Sequence, residues 1–489
     1  MKLRFAFLLL ACAALAPGQY KPDPKLEPWI VLHDPDTDRV VKAITGLSPY
    51  QLPRLPLRVD TNYANIPEDL EPYGGVKPYK RFFLTQMEYT GPGRAIPEPG
   101  PDLKTVKMGF IGPIMSTVSV ATGGKSHEEG LGIRMLEGAR LALEEANERG
   151  GYLKRHIPFQ LVTRNDNGLW GASGNEIIRM AYVDPVWAIL GTIDGANSHI
   201  AIRVALKAEV VMMNSGDTDP TFIETNIPWV MRCIGDDRQM GYLLVDYLLK
   251  TKDYKRIGII RSSNRYGRFG VREVRDSARR LKRPVMMEMA YRPGIDDYSL
   301  QIERLNEANV DAVVHWGDAR DAAVILNQMR KMGMKQPFYG CDRTVSDDFV
   351  KIAGANAEGV MAGFPWNPDR QDPKYLAFKQ RFEKRFGEEP ETYAAHGYDG
   401  MNMLIWATQV AGLNRAKIRD VLAYRVKPFP GVTGDIPFGA ALEDLGEVYL
   451  ARFEHGHWKY YSREDLHVPK PKIPRYSPEG ITLSTASGS

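Results

Sequence analysis

Cysteine is almost absent: three in 489 residues, too few for a disulfide scaffold or a cysteine-based structural zinc site. No apolar stretch reaches the roughly 18 residues that a membrane-spanning helix needs. An excess of one charge is missing too. Lys and Arg total 64 against 60 Asp and Glu, so the net +4 builds no basic field, and no nucleic-acid partner is expected. No Gly-x-Gly-x-x-Gly follows an apolar run, and no Gly-x-Ser-x-Gly elbow occurs. A phosphate loop fails by one residue, because Ser119 stands where its first glycine belongs, ahead of Gly124-Lys125-Ser126. His127-Glu128-Glu129 lacks the second histidine of a zinc-protease helix. His455-Gly456-His457, between two strand-like runs, reads as a hairpin turn. No catalytic residue, metal or cofactor is therefore expected, and the chain does not read as an enzyme.

What is present begins with an address. Lys2 and Arg4 precede an apolar core over 5–11 and then small residues, so residues 1–18 read as an export signal and the protein as one that works outside the cytoplasm. Two processing routes stand side by side. Leu9-Leu10-Ala11-Cys12 resembles a lipoprotein box, with Cys12 as a possible lipid anchor. Ala14-Leu15-Ala16 fits ordinary cleavage, although Pro17 follows it.

Residues 19–104 hold a large share of the 34 prolines together with Trp29, Tyr50, Tyr73, Tyr79, Phe82 and Phe83. That is too apolar for a solvated linker and too broken for helices, which predicts an irregular arm packed on the main body. Residues 463–489, rich in Pro and Ser, read as a flexible tail.

Between them, short apolar runs alternate with amphipathic stretches. Runs at 106–111, 159–162, 187–190, 210–213, 257–260, 285–289, 312–316 and 360–364 fit buried strands. Helical periodicity covers 132–149, 196–208, 239–250, 267–281, 298–309, 319–332, 373–386 and 393–411. Strand and helix in alternation mean parallel sheets covered on both faces, and two sets of repeats mean two doubly wound α/β lobes. Ligands of such sheets sit beyond the carboxyl ends of the strands. After the 187–190 run come Asp194, Gly195, Asn197 and Ser198 at a helix start, whose backbone N–H groups suit an anion unless Asn197 or Ser198 merely caps the helix. After the 210–213 run comes a second polar loop, Asn214-Ser215-Gly216-Asp217-Thr218-Asp219-Pro220.

These segments together resemble a known family. Val106-Lys107-Met108-Gly109-Phe110-Ile111-Gly112-Pro113 looks like the first strand of the type I periplasmic solute-binding proteins, in the leucine/isoleucine/valine-binding branch that serves ABC importers. Leu136-Glu137-Gly138-Ala139-Arg140-Leu141-Ala142-Leu143-Glu144-Glu145-Ala146-Asn147, closed by Gly150-Gly151, is similar to its first helix, and Asn264-Arg265-Tyr266-Gly267 to a second-lobe loop. The resemblance runs from 106 to about 461 and implies a three-strand hinge, with crossings near 233–236, 362–366 and 433–436. The first lobe would be 105–234 with 365–432, and the second 235–364 with 433–462.

It also implies a site for a small polar ligand of amino-acid or amide type, delivered to a membrane permease. An extracytoplasmic sensor for a signalling partner is the alternative. Thr218 falls at the family's carboxylate-binding threonine, and Ser215-Gly216 where backbone groups meet the ligand. Gly195 replaces a usual serine, so restoring that serine is expected to be mild or helpful. Tyr266 matches a second-lobe tyrosine, and Asp342 the acid that holds the ligand's amino group. Trp316 is expected as a pocket floor and Asp318 as a further acid; the plainer alternatives are Trp316 in the core, Thr218 as a turn or cap residue, and Asp342 paired with Arg343 at the surface. Lobes that must open leave a Cys233–Cys341 bridge as the less favoured arrangement.

Overall fold

The computed structural model describes residues 89, 91–116, 127–128, 130–225, 227–424, 427–439, 441–469, 474–477 and 480–483. The export signal, Cys12, residues 19–88 and the loop around Ser119 lie outside the described residues.

The first apolar run becomes β1 (Val106–Gly112), buried along almost its whole length, as a strand covered on both faces must be. It pairs in parallel with β2 (Phe159–Asn165) on one side and β3 (Ala188–Leu190) on the other. β4 (Val211–Asn214) and β5 (Val230–Arg232) extend the sheet, in the order β2-β1-β3-β4-β5. Among its helices, α1 (Gly130–Glu148), α2 (Trp170–Ile178) and α3 (Gly195–Ala208) follow their strands in sequence. α2 escapes the sequence reading because Trp170-Gly171-Ala172-Ser173-Gly174 is short on helix formers.

The second sheet begins after α4 (Asp237–Asp246) with β6 (Ile257–Ser262), α5 (Arg265–Arg280), β7 (Met287–Tyr291) and α6 (Ser299–Glu307). It continues with β8 (Ala312–Trp316), α7 (Ala319–Lys331), β9 (Phe338–Gly340), α8 (Asp347–Ala353) and β10 (Met361–Phe364). The chain then returns to the first lobe as α9 (Pro373–Phe386), α10 (Thr392–Ala411) and α11 (Arg415–Ala423). It crosses back to finish the second sheet with the antiparallel strands β11 (Tyr449–Glu454) and β12 (His457–Tyr461). The order is β12-β11-β10-β9-β8-β6-β7. His455 and Gly456, both at positive φ, make the β11–β12 turn, as expected of a hairpin.

α10 lies tightly on α1, and two glycines permit it. A Cβ on Gly138 would sit 1.9 Å from the Ala394 carbonyl oxygen, and one on Gly397 2.5 Å from that of Met135. The first crossing is tied to the segment that leads into β11. Asp236 caps α4 in a reciprocal box with Gln239, whose amide also donates to the Asp444 carbonyl at 3.2 Å in the third crossing. The two sulfurs that the sequence left open for a bridge are not joined to each other: each is a buried thiol, Cys233 against the Asn214 carbonyl and Cys341 against that of Gly317.

The last residues of the arm are anchored to the first lobe. Tyr89 donates to Glu209 at 2.6 Å and packs edge-on against Trp229, while Arg94 forms a buried pair with Asp420 at 2.7 Å. Asn414, the cap of α11, donates to the carbonyls of Gly93 and Ile96. Part of the segment read as a flexible tail has contacts and strand pairing of its own. Arg463 pairs with Asp246 at 2.9 Å, and Pro474–Ser477 pairs antiparallel with Gly480–Leu483. Prolines flanking so short a hairpin hide its alternation. Among the described residues no helix is long and apolar enough to cross a membrane.

Candidate functional site

The carboxyl ends of β3 and β4 face those of β6, β8 and β9, and the two lobes meet there. Three ion pairs cross the gap. Arg265, the first residue of α5, donates to Asp219 at 2.7 Å and to the Thr221 hydroxyl at 2.7 Å. Arg343 reaches Asp194 at 3.1 Å, and Arg272 reaches Glu224 at 3.3 Å. The lobes are therefore closed on each other.

On the first-lobe side, α3 begins at Gly195 with Asp194 as its cap residue, so neither Asn197 nor Ser198 is the cap. Asn197 is buried, and neither of its amide atoms has a hydrogen-bond partner of normal geometry. Ser198 turns its hydroxyl into the loop, to Thr192 at 2.7 Å and Asn214 at 3.3 Å. The next loop is folded on Asn214, whose side-chain oxygen accepts from the N–H groups of Gly216 (2.9 Å) and Asp217 (2.7 Å). Ser215 is buried with an unpartnered hydroxyl, and Thr218 is buried with its carbonyl accepting from the Asp237 N–H at 2.9 Å.

On the second-lobe side, the Tyr266 hydroxyl donates to Asp342, and both are buried. The plainer expectation for Asp342 fails. Arg343 turns away from it to pair with Asp318 at 2.7 Å and Asp194, and lays its guanidinium 3.9 Å from the centre of the Tyr266 ring. Asp318, expected as a free acid for the ligand, is instead 44% exposed and spends its charge on Arg343. Trp316 lies deeper. It is fully buried in the second-lobe core under α5, where a Cβ on Gly270 would come within 2.0 Å of its ring nitrogen. Its ring lies 6.5 Å from that of Tyr266.

Sequence reasoning missed Asp237, Arg343 and Tyr393. Asp237 is fully buried, and neither carboxylate oxygen has a hydrogen-bond partner of normal geometry. Burial, then the charge of Asp342, pushes its pKa well above the usual range, and the Thr218 hydroxyl offsets part of that. Burial likewise raises Asp342, against the pull of Arg343 and the Tyr266 hydroxyl. Burial and the neighbouring Asp219 charge push Asp217 up to about 7. Burial opposes the charge on Arg343, yet Asp318, Tyr393 and Asp194 together outweigh it and hold its pKa well above the ordinary value. The Tyr393 hydroxyl, at the start of α10, is buried and unpartnered.

Gly195 is not a vacancy awaiting a serine. A Cβ there would lie 2.6 Å from the Asp219 carboxylate and 3.0 Å from the Arg265 guanidinium. Gly195→Ser must displace Asp219, which Thr221 and Arg265 hold in place, so the substitution expected to be mild is expected instead to weaken closure. Overpacking of this kind costs about 1–3 kcal/mol. Titration of a cleft ligand into the variant should show an affinity lost by about that amount at unchanged thermal stability, and equal or better affinity would disprove the clash.

A family model described as periplasmic binding protein matches residues 105–446. The Leu/Ile/Val-binding protein homolog 2 of Brucella abortus is 27% identical over 338 residues, covering 68% of this chain and 89% of its own. Among solved structures, the branched-chain amino acid transporter substrate-binding protein of Streptococcus pneumoniae, in complex with isoleucine, aligns with a TM-score of 0.64 at 22% identity. The alignment covers 73% of this chain and 99% of that one. A solute-binding protein of an ABC transporter from R. palustris, in complex with benzoate, aligns with a TM-score of 0.63 at 16% identity, covering 73% and 96%.

Proposed function

Since the chain belongs to the periplasmic binding protein family, we propose that it captures a small polar solute of amino-acid or amide type in the cleft between Thr218 and Asp342 and hands it to the permease of an ABC importer. It is an extracytoplasmic solute-binding protein that clasps its ligand between two lobes, and the family's work is binding, with no covalent step. The observation that carries the choice of site is the buried, hydrogen-bond-poor carboxylate of Asp237 beside Asp342, at the point where both lobes meet. Buried charge without a partner costs several kcal/mol, so such a pair calls for a cationic group. Thr218 and Ser215 line the first-lobe side of this site, and Tyr266 and Arg343 the second. Asp194, Gly195, Asn197 and Ser198 form the head of α3 behind it.

A bound ammonium must draw protons off these acids. Asp217, raised to about 7, is partly protonated in the free protein near neutrality, and burial raises Asp237 and Asp342 in the same direction. Their ionised forms bind the cation, so affinity for an amine should fall as pH drops from about 8 to about 6, with protons released on binding. Calorimetry in two buffers of different ionisation heat checks this, and a binding heat and affinity independent of pH and buffer would remove the acids from the site. The mass of the exported chain distinguishes the two processing routes: a lipid-modified N-terminus at Cys12, or an unmodified one after Ala16.

A further inference from the structure

We infer that the cleft is built for an amine whose remaining polar group is uncharged, a simple amine or an amino-amide, in preference to an amino acid with a free carboxylate. The inference rests on the reading that this cleft is the ligand site, and concerns the end of the ligand opposite its ammonium.

An anion entering a parallel α/β lobe is best received at a helix N-terminus, here the head of α3. That position already has one of the protein's own carboxylates beside it. Asp219 places an oxygen 2.6 Å from where a Gly195 Cβ would be, while Asp194, the cap residue, turns its carboxylate to Arg343. Asp219 is fixed there by accepting from the Thr221 N–H at 2.9 Å, the Thr221 hydroxyl at 2.7 Å and Arg265 at 2.7 Å. The loop beside it has turned its own donors inward. The N–H groups of Gly216 and Asp217 go to the Asn214 side chain, and that of Asp219 to the Asp217 side chain at 3.0 Å.

The charges point the same way. Arg265 is matched by Asp219, and Arg343 by Asp194 and Asp318. Asp217, Asp237 and Asp342 remain, all buried; the Arg232 charge offsets part of the cost at Asp217, and the hydroxyls of Thr218 and Tyr266 part of it at Asp237 and Asp342. Another carboxylate would be desolvated among these acids, whereas an ammonium would neutralise one of them. Three buried donors stay open at the site: the Ser215 and Tyr393 hydroxyls and the Arg343 Nε–H, the last on a guanidinium whose charge two carboxylates already balance. A neutral carbonyl or hydroxyl oxygen suits them.

The test is calorimetry on the full-length protein with matched sets that differ only in the carboxylate: L-leucine, L-leucinamide and isoamylamine; L-arginine, L-argininamide and agmatine; L-phenylalanine, L-phenylalaninamide and phenethylamine. In at least one set the amide or the amine should bind tenfold or more tighter than its parent acid. Asp219→Asn, which removes the charge at the head of α3, should narrow that ratio. The inference is overturned if every set that binds prefers the acid, or if no amine or amide binds. Amine binding left intact in both Asp342→Asn and Asp237→Asn would overturn the cleft as the ligand site, a different failure with a different signature.

Discussion

Asp342→Asn is expected to lose most of the affinity for an amine-bearing ligand while leaving the protein as stable as before, or more so. The side chain keeps its size, and its amide oxygen still accepts from the Tyr266 hydroxyl, so packing around the buried position survives. What disappears is the charge. Removing one partner of a desolvated charge pair costs about 2–5 kcal/mol, which is roughly thirty-fold or more in Kd. The effect on stability has the opposite sign. Burial raises the folded-state pKa of Asp342 above its unfolded value, so at neutral pH the ionised carboxylate works against the ligand-free fold, and a neutral amide relieves it. Calorimetry and a thermal melt on the same sample separate the two effects. Unchanged affinity would take Asp342 out of the site, and a collapsed melting curve would make it a structural residue.

The largest loss of stability is expected from Asp236→Asn at the first hinge crossing. Asp236 accepts from Arg232 at 2.6 Å and Arg238 at 2.9 Å, and all three side chains are fully buried. Asparagine serves as a helix cap about as well as aspartate, so α4 keeps its start and the substitution isolates the charge. Two buried guanidinium groups then lose their shared counter-charge, which costs about 3–5 kcal/mol. The midpoint of denaturant unfolding should fall accordingly, and Asp236→Ala should fall further by about 1 kcal/mol for the lost cap. A loss of under about 1 kcal/mol for the asparagine variant would mean that other groups carry the two arginines.

How much of this the sequence discloses depends on the physics behind each feature. The strands beginning at Val106, Ile257 and Ala312 are legible because burial on both faces demands unbroken apolar runs. The helix Pro373–Phe386 is legible to the residue, since Asp372 caps it, proline opens it and Gly387 at positive φ closes it. Arg415–Ala423 is not, because it is only nine residues long and its buried Ile418, Val421 and Leu422 are interleaved with Lys417, Arg419 and Asp420, which are buried as well. At the site, Thr218, Tyr266 and Asp342 follow from the family resemblance. Asp237 does not, since an acid one residue after an N-cap reads as an ordinary partner of the helix dipole. Arg343 was read only as a neighbour of Asp342, because nothing local announces partners as distant as Asp194 and Asp318. Gly195 misled for a similar reason, as the carboxylate filling its space comes from Asp219 in the following loop.

Closure joins the site to its function. Thr218 belongs to one lobe and Tyr266 with Asp342 to the other, so a ligand touching both favours the closed form by the difference of its affinities for the two states. Arg265–Asp219 and Arg343–Asp194, each with one partner largely buried, are made in that form. Small-angle X-ray scattering on the full-length protein, without ligand and at saturation with a solute that calorimetry shows to bind, measures this directly. The radius of gyration should fall on saturation towards that of the closed structure. A radius unchanged by saturating ligand would contradict the two-lobe clasp.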